Sequence, residues 1–201
     1  MVELRAYRAD DLEALYDICL VTGDAGKDAS PLHNDRKAIG HLYSAPYGVI
    51  EPEQVFVAED EQGVAGYIVG THDTRAFAAK LERDWWPALR THYAQVPEAE
   101  LMPADRQRIA AMRAPGDNPA DIVARYPAHI HMNLLPRLRG QRIGTRLLQM
   151  WIAQARKAGV SGIHLGASAG NTGGVAFWTR SGFEPLQTIG RTVWFGMTLA
   201  E

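Results

Sequence analysis

The sequence contains few of the features on which secreted and membrane proteins depend. Its 201 residues include one cysteine, Cys19, which cannot form an internal disulfide. No apolar run reaches the roughly 18 residues that a membrane span requires. The segment MVELRAYRADD carries charge from its third residue, unlike a secretory signal. We therefore expect a cytoplasmic protein that makes no membrane contact.

Obvious catalytic and nucleotide-binding motifs are also missing. The sequence has neither G-x-x-x-x-G-K-[ST] nor a G-x-G-x-x-G that follows a strand, and no metal site is predicted. Cys19 recurs with Leu12, Leu15 and Tyr16 at helical spacing. This spacing predicts a buried packing cysteine rather than a nucleophile.

Acidic residues are absent from a long stretch near the C-terminal end. Between Ile122 and Phe183 there is no aspartate or glutamate, whereas residues 1–121 carry 21 acids against 12 bases. The acid-free stretch contains eight basic residues: Arg125, Arg137, Arg139, Arg142, Arg146, Arg156, Lys157 and Arg180. Such segregation indicates a polyanionic ligand, or else a solvated basic face that is balanced by acids elsewhere in the fold.

Hydrophobic patterns predict an α/β fold. The predicted strands are LRAY, QVFVAED, GVAGYIVGT, HIHMNLL, GIHLGAS and TVWFGMTL. Helices are predicted to begin near Asp10 or Asp11, to cover about 32–43, and to follow Gly140 and Asn171. In HIHMNLL, His129, His131 and Asn133 should face one way and the apolar residues the other. The strand-helix-strand order after Pro127 predicts a parallel strand pair.

The segment from about 72 to 128 interrupts this order. Phe77, Leu81, Trp85 and Leu89 recur every fourth residue, but Pro87 should break or kink that helix near Trp86. We expect short helices and loops here, as an insertion within a single domain that spans 1–201.

The segment LLPRLRGQRIGTRLL joins a predicted strand to a predicted helix and contains four arginines. Backbone N–H groups at a helix start, together with the helix dipole, attract anions. Gly140 and Gly144 should allow a phosphate to approach the main chain, Thr145 adds a hydroxyl, and Arg139 and Arg142 add charge. The spacing therefore favours an anion site over a merely solvated helix start.

Two motifs together resemble the acetyl-CoA-binding half of GNAT superfamily N-acetyltransferases. Residues 139–144, RGQRIG, follow the pattern [QR]-x-x-G-x-[GA], and Asn171 to Phe183 follows N-x-x-A-x-x-F-Y-x-x-x-G-F. The resemblance covers about 128–198. The segment 72–128, with its tryptophans, further resembles bacterial acetyltransferases that are similar to the acetyltransferase-like domain of animal O-GlcNAcases.

The resemblance implies a mixed, mostly antiparallel sheet flanked by helices, with a central parallel strand pair splayed around acetyl-CoA. Backbone groups of Leu134 and Leu135 would pair with the pantetheine arm, and Asn171 would lie near its thiol end. The pyrophosphate would lie against the backbone of the residues from Arg139 to Thr145: Arg139, Gly140, Gln141, Arg142, Ile143, Gly144 and Thr145. The three phosphate groups of CoA would account for the basic stretch.

Two departures from the family pattern affect the expected chemistry. Arg142 occupies a position that is most often glycine. Trp178 replaces the tyrosine that commonly protonates the departing thiolate, and an indole N–H cannot act as an acid at working pH. Another acid or water would then have to serve.

Candidates for the acceptor side are fewer. His131 lies on the strand that should carry the thioester, so it is a candidate general base or else a structural histidine. Asp24 and Asp28 would bind a cationic amine, or else cap turns. Trp85 and Tyr93 would wall an acceptor pocket, or else pack in the core.

Two functions therefore stand as hypotheses. The first is an acetyl-CoA-dependent N-acetyltransferase that transfers acetyl directly to a primary amine of a small molecule or peptide within a ternary complex. The second is a non-catalytic CoA-binding or peptide-binding module. Nucleic-acid binding is disfavoured because the arginines lack interleaved stacking aromatics. The chain is expected to be a monomer or a homodimer.

Overall fold

Seven strands form one mixed sheet in the computed structural model, which describes residues 1–199. The order across the sheet is β1-β2-β3-β4-β5-β7-β6, and every neighbouring pair is antiparallel except β4 and β5. The strands are β1 (Glu3–Ala6), β2 (Phe56–Asp60), β3 (Gly63–Thr71), β4 (Ala128–Leu134), β5 (Gly162–Ser168), β6 (Glu184–Ile189) and β7 (Thr192–Thr198). The predicted sheet is confirmed.

The parallel pair at the centre of the sheet is short. Strands β4 and β5 pair only through Ala128 with Ile163 and His129 with His164. Each strand nevertheless keeps its antiparallel partner along its length, β3 beside β4 and β7 beside β5. The two strands therefore diverge beyond His129 and leave a wedge between residues 130–134 and 165–168, which we call the β4–β5 cleft.

Helices cover both faces of the sheet. They are α1 (Leu12–Val21), α2 (Gly40–Tyr43), α3 (Ala45–Ile50), α4 (Thr74–Lys80), α5 (Trp86–Tyr93), α6 (Pro103–Arg113), α7 (Ala120–Arg125), α8 (Ile143–Lys157) and α9 (Thr172–Arg180). On one face α8 packs Leu147 and Trp151 against Ile68 and Ile130. On the other face α1 packs against the opposite side chains of β2 and β3. None of the helices in residues 1–199 is long and apolar enough to cross a membrane.

The insertion attaches mainly to the segment before α2. Helices α5 and α6 share a small core of Trp86, Tyr93, Ile109 and Met112 with Ala38. The buried carboxylate of Asp105 accepts from Nδ1 of His33 at 2.7 Å and from the backbone N–H of Asn34 at 2.9 Å. A π-helical turn over Leu81–Trp85 joins α4 to α5 just before Pro87. The predicted interruption near Trp86 is therefore confirmed.

Two local predictions were wrong. The helix expected over about 32–43 is confined to Gly40–Tyr43, because side chains bind the backbone before it: Asp35 accepts from the Lys37 N–H at 2.8 Å. Strand β6 was missed. It is an edge strand with mostly exposed residues and contains Pro185, so its sequence needs no apolar alternation.

Gly70 provides a test of how closely β3, β4 and α8 pack. A Cβ at Gly70 would meet the carbonyl oxygen of His129 and lie 2.8 Å from both Ile130 Cγ2 and Trp151 Cζ2. We expect Gly70→Ala to lower the free energy of unfolding, measured in urea, by about 1–3 kcal/mol. A Cβ at Gly116 would meet nothing within 4 Å, so Gly116→Ala is the control. Equal stability of the two variants would contradict this packing.

Candidate cofactor and acceptor site

The register of β4 determines which backbone groups face the β4–β5 cleft. The N–H of Leu135 donates to the carbonyl of Ala65 at 2.8 Å, and hydrogen-bonding residues alternate along an antiparallel pair. Asn133 and His131 therefore bond to β3, whereas Met132 and Leu134 direct their N–H and C=O groups into the cleft. The backbone of Leu134, which we expect to pair with a pantetheine arm, thus faces the cleft.

Leu135 does not offer free backbone groups to a ligand. Its N–H is used by Ala65, and its carbonyl accepts from the N–H of Leu138 at 3.0 Å. Met132, two residues before Leu134, offers unpaired backbone groups to the cleft instead. The two-residue period of a strand would have identified Met132 from the sequence.

Within the described chain, the backbone N–H groups in the turn from Gly140 to Thr145 have no hydrogen-bond acceptor. The next N–H, that of Arg146, donates to Arg142 at 3.1 Å. The same turn opens the fifteen-residue helix α8. Free N–H groups at the start of a long helix favour an anion.

The glycines of the turn have different roles. Gly140 has φ +77°, and a Cβ there would meet nothing within 4 Å, so its backbone is open to a ligand. A Cβ at buried Gly144 would instead lie 3.3–3.4 Å from side chains of Met132, Leu134 and Phe177. The absence of a side chain at Gly144 therefore allows α8 to pack closely on β4, and within the described residues its backbone N–H stays among the free donors of the turn.

Arg142 adopts the left-handed conformation, with φ +58° and ψ +14°. An L-residue pays roughly 1–2 kcal/mol for this conformation, and glycine pays almost nothing. This cost explains why glycine is common at the matching position of the motif. The Arg142 side chain is exposed beside the free N–H groups and remains available to an anion.

Most side chains of the turn lie at the surface. Arg139 donates from Nη2 to the carbonyl of Gly26 at 2.8 Å, and Gln141 donates to the carbonyl of Arg137 at 2.7 Å. Thr145 is exposed, whereas the Ile143 side chain is buried in the core, so Ile143 can offer only its backbone.

On the opposite side of the cleft, Asn171 caps α9. Its Oδ1 accepts from the N–H of Gly174 at 2.9 Å, as predicted for an N-cap. A Cβ on Gly26 would lie 3.4 Å from this amide. The loop around Gly26 therefore contacts both Arg139 and Asn171, one on each side of the cleft.

Trp178 lies inside the core. It is buried, with its ring 5.0 Å from that of Phe177 and 5.3 Å from that of Phe183. Trp178 thus fills space beneath α9, and its indole contributes packing rather than a proton.

Three histidines meet where β4 and β5 separate, and two of them are fully bonded. Thr74 donates its hydroxyl to the carbonyl of Pro127 at 2.7 Å, so it accepts from Nδ1 of His129 at 2.8 Å. Nε2 of His129 then accepts from the Tyr47 hydroxyl at 2.7 Å.

His164 is bonded in the same way. Its Nδ1 donates to the carbonyl of Tyr126 at 2.6 Å, and its Nε2 accepts from the Asn118 amide at 3.2 Å. Both His129 and His164 are therefore neutral structural histidines, and burial lowers the pKa of each.

His131 differs from its two neighbours. No residue in the described chain bonds to either of its ring nitrogens, although its ring lies 5.7 Å from the rings of both Tyr43 and Tyr47. Burial, followed by the nearby His164, lowers the pKa of His131 to about 4. At neutral pH His131 is thus an uncharged side chain whose nitrogens remain free to bind a ligand.

The residues proposed for the acceptor are dispersed. Asp28 is exposed and accepts from the backbone N–H of Ser30 at 2.8 Å, the turn-capping alternative. Hydrogen bonding to the side chain of Ser30, and then to its backbone, lowers the pKa of Asp28. Asp24 is exposed and pairs through its backbone with Lys27. Tyr93 is 2 % exposed and donates to Asp35 at 2.6 Å, so it belongs to the core.

Trp85 also attaches the insertion to α2 and does not line an acceptor pocket. Its indole donates to the carbonyl of His41 at 3.0 Å, and its ring lies 5.8 Å from that of His41. Tyr43, by contrast, lies beside His131, and Arg108 in turn donates to the Tyr43 hydroxyl. Arg108 lies in the irregular insertion, where sequence spacing gave no signal for it.

The lowered pKa values of buried His129 and His164 and of half-buried His131 make stability depend on pH. Their pKa values are lowered in the folded protein, so below pH ~6.5 the unfolded chain binds protons that the folded chain does not. We expect the free energy of unfolding to be constant above that pH. Between pH 6.5 and 5 it should fall by up to about 1.4 kcal/mol per pH unit for each histidine.

Urea titrations at pH 7.5, 6 and 5 measure this dependence. His131→Gln should make the decline shallower, and His92→Gln, at an exposed position, should leave it unchanged. Equal stability of the native chain at pH 7.5 and 5 would refute the assignment of neutral buried histidines.

The geometry of the cleft meets the requirements of acetyl-CoA. Unpaired strand groups on Met132 and Leu134 can bond to the amides of a pantetheine arm, as an added strand would. The free N–H groups of the turn, with Arg139 and Arg142 beside them, can bind a pyrophosphate.

Comparison with known proteins identifies relatives of the whole fold. SsHAT, of known crystal structure, is 34% identical, with a TM-score of 0.84 over 100% of this chain and 99% of the SsHAT chain. The PaiA N-acetyltransferase of Thermoplasma acidophilum, solved in complex with coenzyme A, is 14% identical, with a TM-score of 0.60 over 99% of both chains. At that identity it supports the fold alone.

Among curated proteins, the O-GlcNAcases of Rattus norvegicus and Mus musculus are each 23% identical over 160 residues, which is 79% of this chain. The chain spans 17% of the length of these relatives. The profile of the Acetyltransferase (GNAT) family matches residues 26–183. The profile match, the sheet with its splayed parallel pair, and the similarity to SsHAT agree: the chain belongs to the GNAT acetyltransferase family.

Proposed function

We propose that the protein is an acetyl-CoA-dependent N-acetyltransferase, which transfers acetyl directly to a primary amine of a small molecule or peptide. The observation that carries this proposal is the β4–β5 cleft. One strand, β4, presents unpaired backbone groups on Met132 and Leu134 and also carries His131, to which no described residue bonds, and the free N–H turn follows the strand. A single strand and the turn after it therefore carry both the backbone groups that we propose to bind the cofactor and the histidine that we propose to contact the amine.

The family assignment makes acetyl-CoA the acyl donor, and its thioester supplies an acetyl carbon that is open to attack by an amine. In our proposal the backbone of Met132 and Leu134 binds the pantetheine arm. The N–H groups from Gly140 to Thr145 bind the pyrophosphate, with charge from Arg139 and Arg142. Asn171 bounds the cleft on the other side.

His131 is the residue that we propose to contact the amine. With a pKa of about 4 it stays neutral at physiological pH, so it accepts a hydrogen bond from an uncharged amine and orients it. As the amine attacks, its nitrogen becomes strongly acidic, and the proton can pass to His131 or to water. The lowered pKa makes positioning the larger part of this role.

Direct transfer is favoured over an acetyl-enzyme intermediate. Cys19 lies on the buried face of α1 and is 3 % exposed, and burial raises the pKa of its thiol. A buried, protonated thiol is a poor nucleophile. The amine must therefore attack the thioester itself within a ternary complex.

One observation favours the alternative of a non-catalytic CoA-binding or peptide-binding module. Trp178 fills the motif position of the tyrosine acid and is buried in the core. In this alternative the cleft would bind the cofactor without turnover.

Steady-state release of CoA thiol across a panel of amines tests the proposal. We expect acceptor-dependent release by the native protein. His131→Gln should lower kcat by about 100-fold while leaving acetyl-CoA affinity unchanged. His92→Gln, on the exposed surface of α5, is the matched control.

The pH profile provides a second measurement. Since neutral His131 persists to about pH 4, kcat/KM should show no histidine-dependent decline near pH 6.5. Saturable acetyl-CoA binding with no thiol release on any amine would reject the transferase and favour the alternative.

A further inference from the structure

Arg108 reaches from α6 of the insertion to the acceptor side of the cleft. Its Nη1 donates to the hydroxyl of Tyr43 at 3.3 Å, and its guanidinium carbon lies 5.5 Å from the centre of the Tyr43 ring. The same ring lies 5.7 Å from that of His131. Tyr43 therefore stands between Arg108 and the free histidine.

Among residues 1–199, no carboxylate pairs with the guanidinium of Arg108. Its Nε is buried, and no described residue accepts a hydrogen bond from Nε or Nη2. Arg83 and Arg137 use this same edge, Nε together with Nη2, to hold the carboxylates of Asp84 and Asp60. The edge with which this protein binds carboxylates elsewhere is thus unused in Arg108.

A partly buried guanidinium without an anion is energetically unfavourable, because its buried Nε has lost water and has gained no acceptor in exchange. A carboxylate matches the free edge, since two parallel N–H donors face two oxygens. The Tyr43 hydroxyl accepts from Nη1 and so retains its own proton for the same carboxylate. Tyr43 is 36% exposed, and its ring lies beside the guanidinium, so both groups border the acceptor side of the cleft.

We propose that Arg108, with Tyr43, binds a carboxylate of the acceptor, and that the acceptor is therefore an amine that also carries a carboxylate, as amino acids and short peptides do. The inference rests on the proposed function and narrows its substrate class. It reverses the charge expected from Asp24 and Asp28, which would have selected a cationic partner and which lie exposed on a separate loop.

Equilibrium binding tests this inference without turnover. N-acetylated glycine, diglycine and triglycine, each beside its C-terminal amide, are titrated calorimetrically into protein saturated with CoA. For at least one length, the native protein should bind the free acid at least about tenfold more tightly than the amide. Arg108→Gln should abolish this preference, and Arg108→Lys, which keeps the charge but lacks the paired donors, should retain only part of it.

Arg106→Gln is the matched control, because Arg106 is exposed on the same helix and bonds only to backbone carbonyls. Its preference for the acid should equal that of the native chain. Acetyl-CoA affinity, measured on every variant, verifies that the fold and the cleft are intact.

Equal affinity for acid and amide, absence of binding at every length, or an unchanged preference in Arg108→Gln would each overturn the inference. If Arg108→Gln fails to fold, a full acid preference in Arg108→Lys overturns it instead. Thiol release with the corresponding free peptides separates the two proposals: an intact acid preference without turnover rejects the transferase and retains the carboxylate site.

Discussion

The separation of β4 from β5 after two residue pairs is the constraint on which the rest of the structure depends. Each strand is fully bonded on its outer side, to β3 or to β7, so the divergence costs hydrogen bonds only on the inner side. There the backbone groups of Met132 and Leu134 face the cleft without a strand partner. A ligand that carries amides can supply that partner, which is why we propose the cleft as the cofactor site.

The point of divergence is stabilised by neutral polar side chains. His129 and His164 each bond through both ring nitrogens to groups from other elements, which ties β4 and β5 to α3, α4 and the segment before β4. Neither histidine has a hydrogen-bonding capacity to spare. His131 lies two residues further along β4, in the cleft. No described residue bonds to either of its ring nitrogens, so His131 can bind a ligand through nitrogens that His129 and His164 use within the fold.

The sequence predicted those parts of the protein in which local pattern determines structure. The alternation in HIHMNLL placed the histidines on one face, and LLPRLRGQRIGTRLL predicted an open turn at the start of α8. The sequence could not predict β6, because an exposed edge strand needs no alternation of apolar and polar residues. Nor could it bring together Tyr43, Arg108 and His131, since only tertiary packing joins residues so distant in the chain. Tyr93 was assigned to the acceptor because aromatic residues serve both cores and pockets; its burial decides for the core.

Calorimetric titration of the protein with acetyl-CoA and with acetyl-3′-dephospho-CoA tests the cleft most simply. We expect saturable one-to-one binding of acetyl-CoA. Loss of the 3′-phosphate should weaken that binding, because the acid-free stretch supplies the charge that meets it. Absence of saturable binding would contradict the account, since the unpaired groups of Met132 and Leu134 and the free N–H turn would then have no ligand in common.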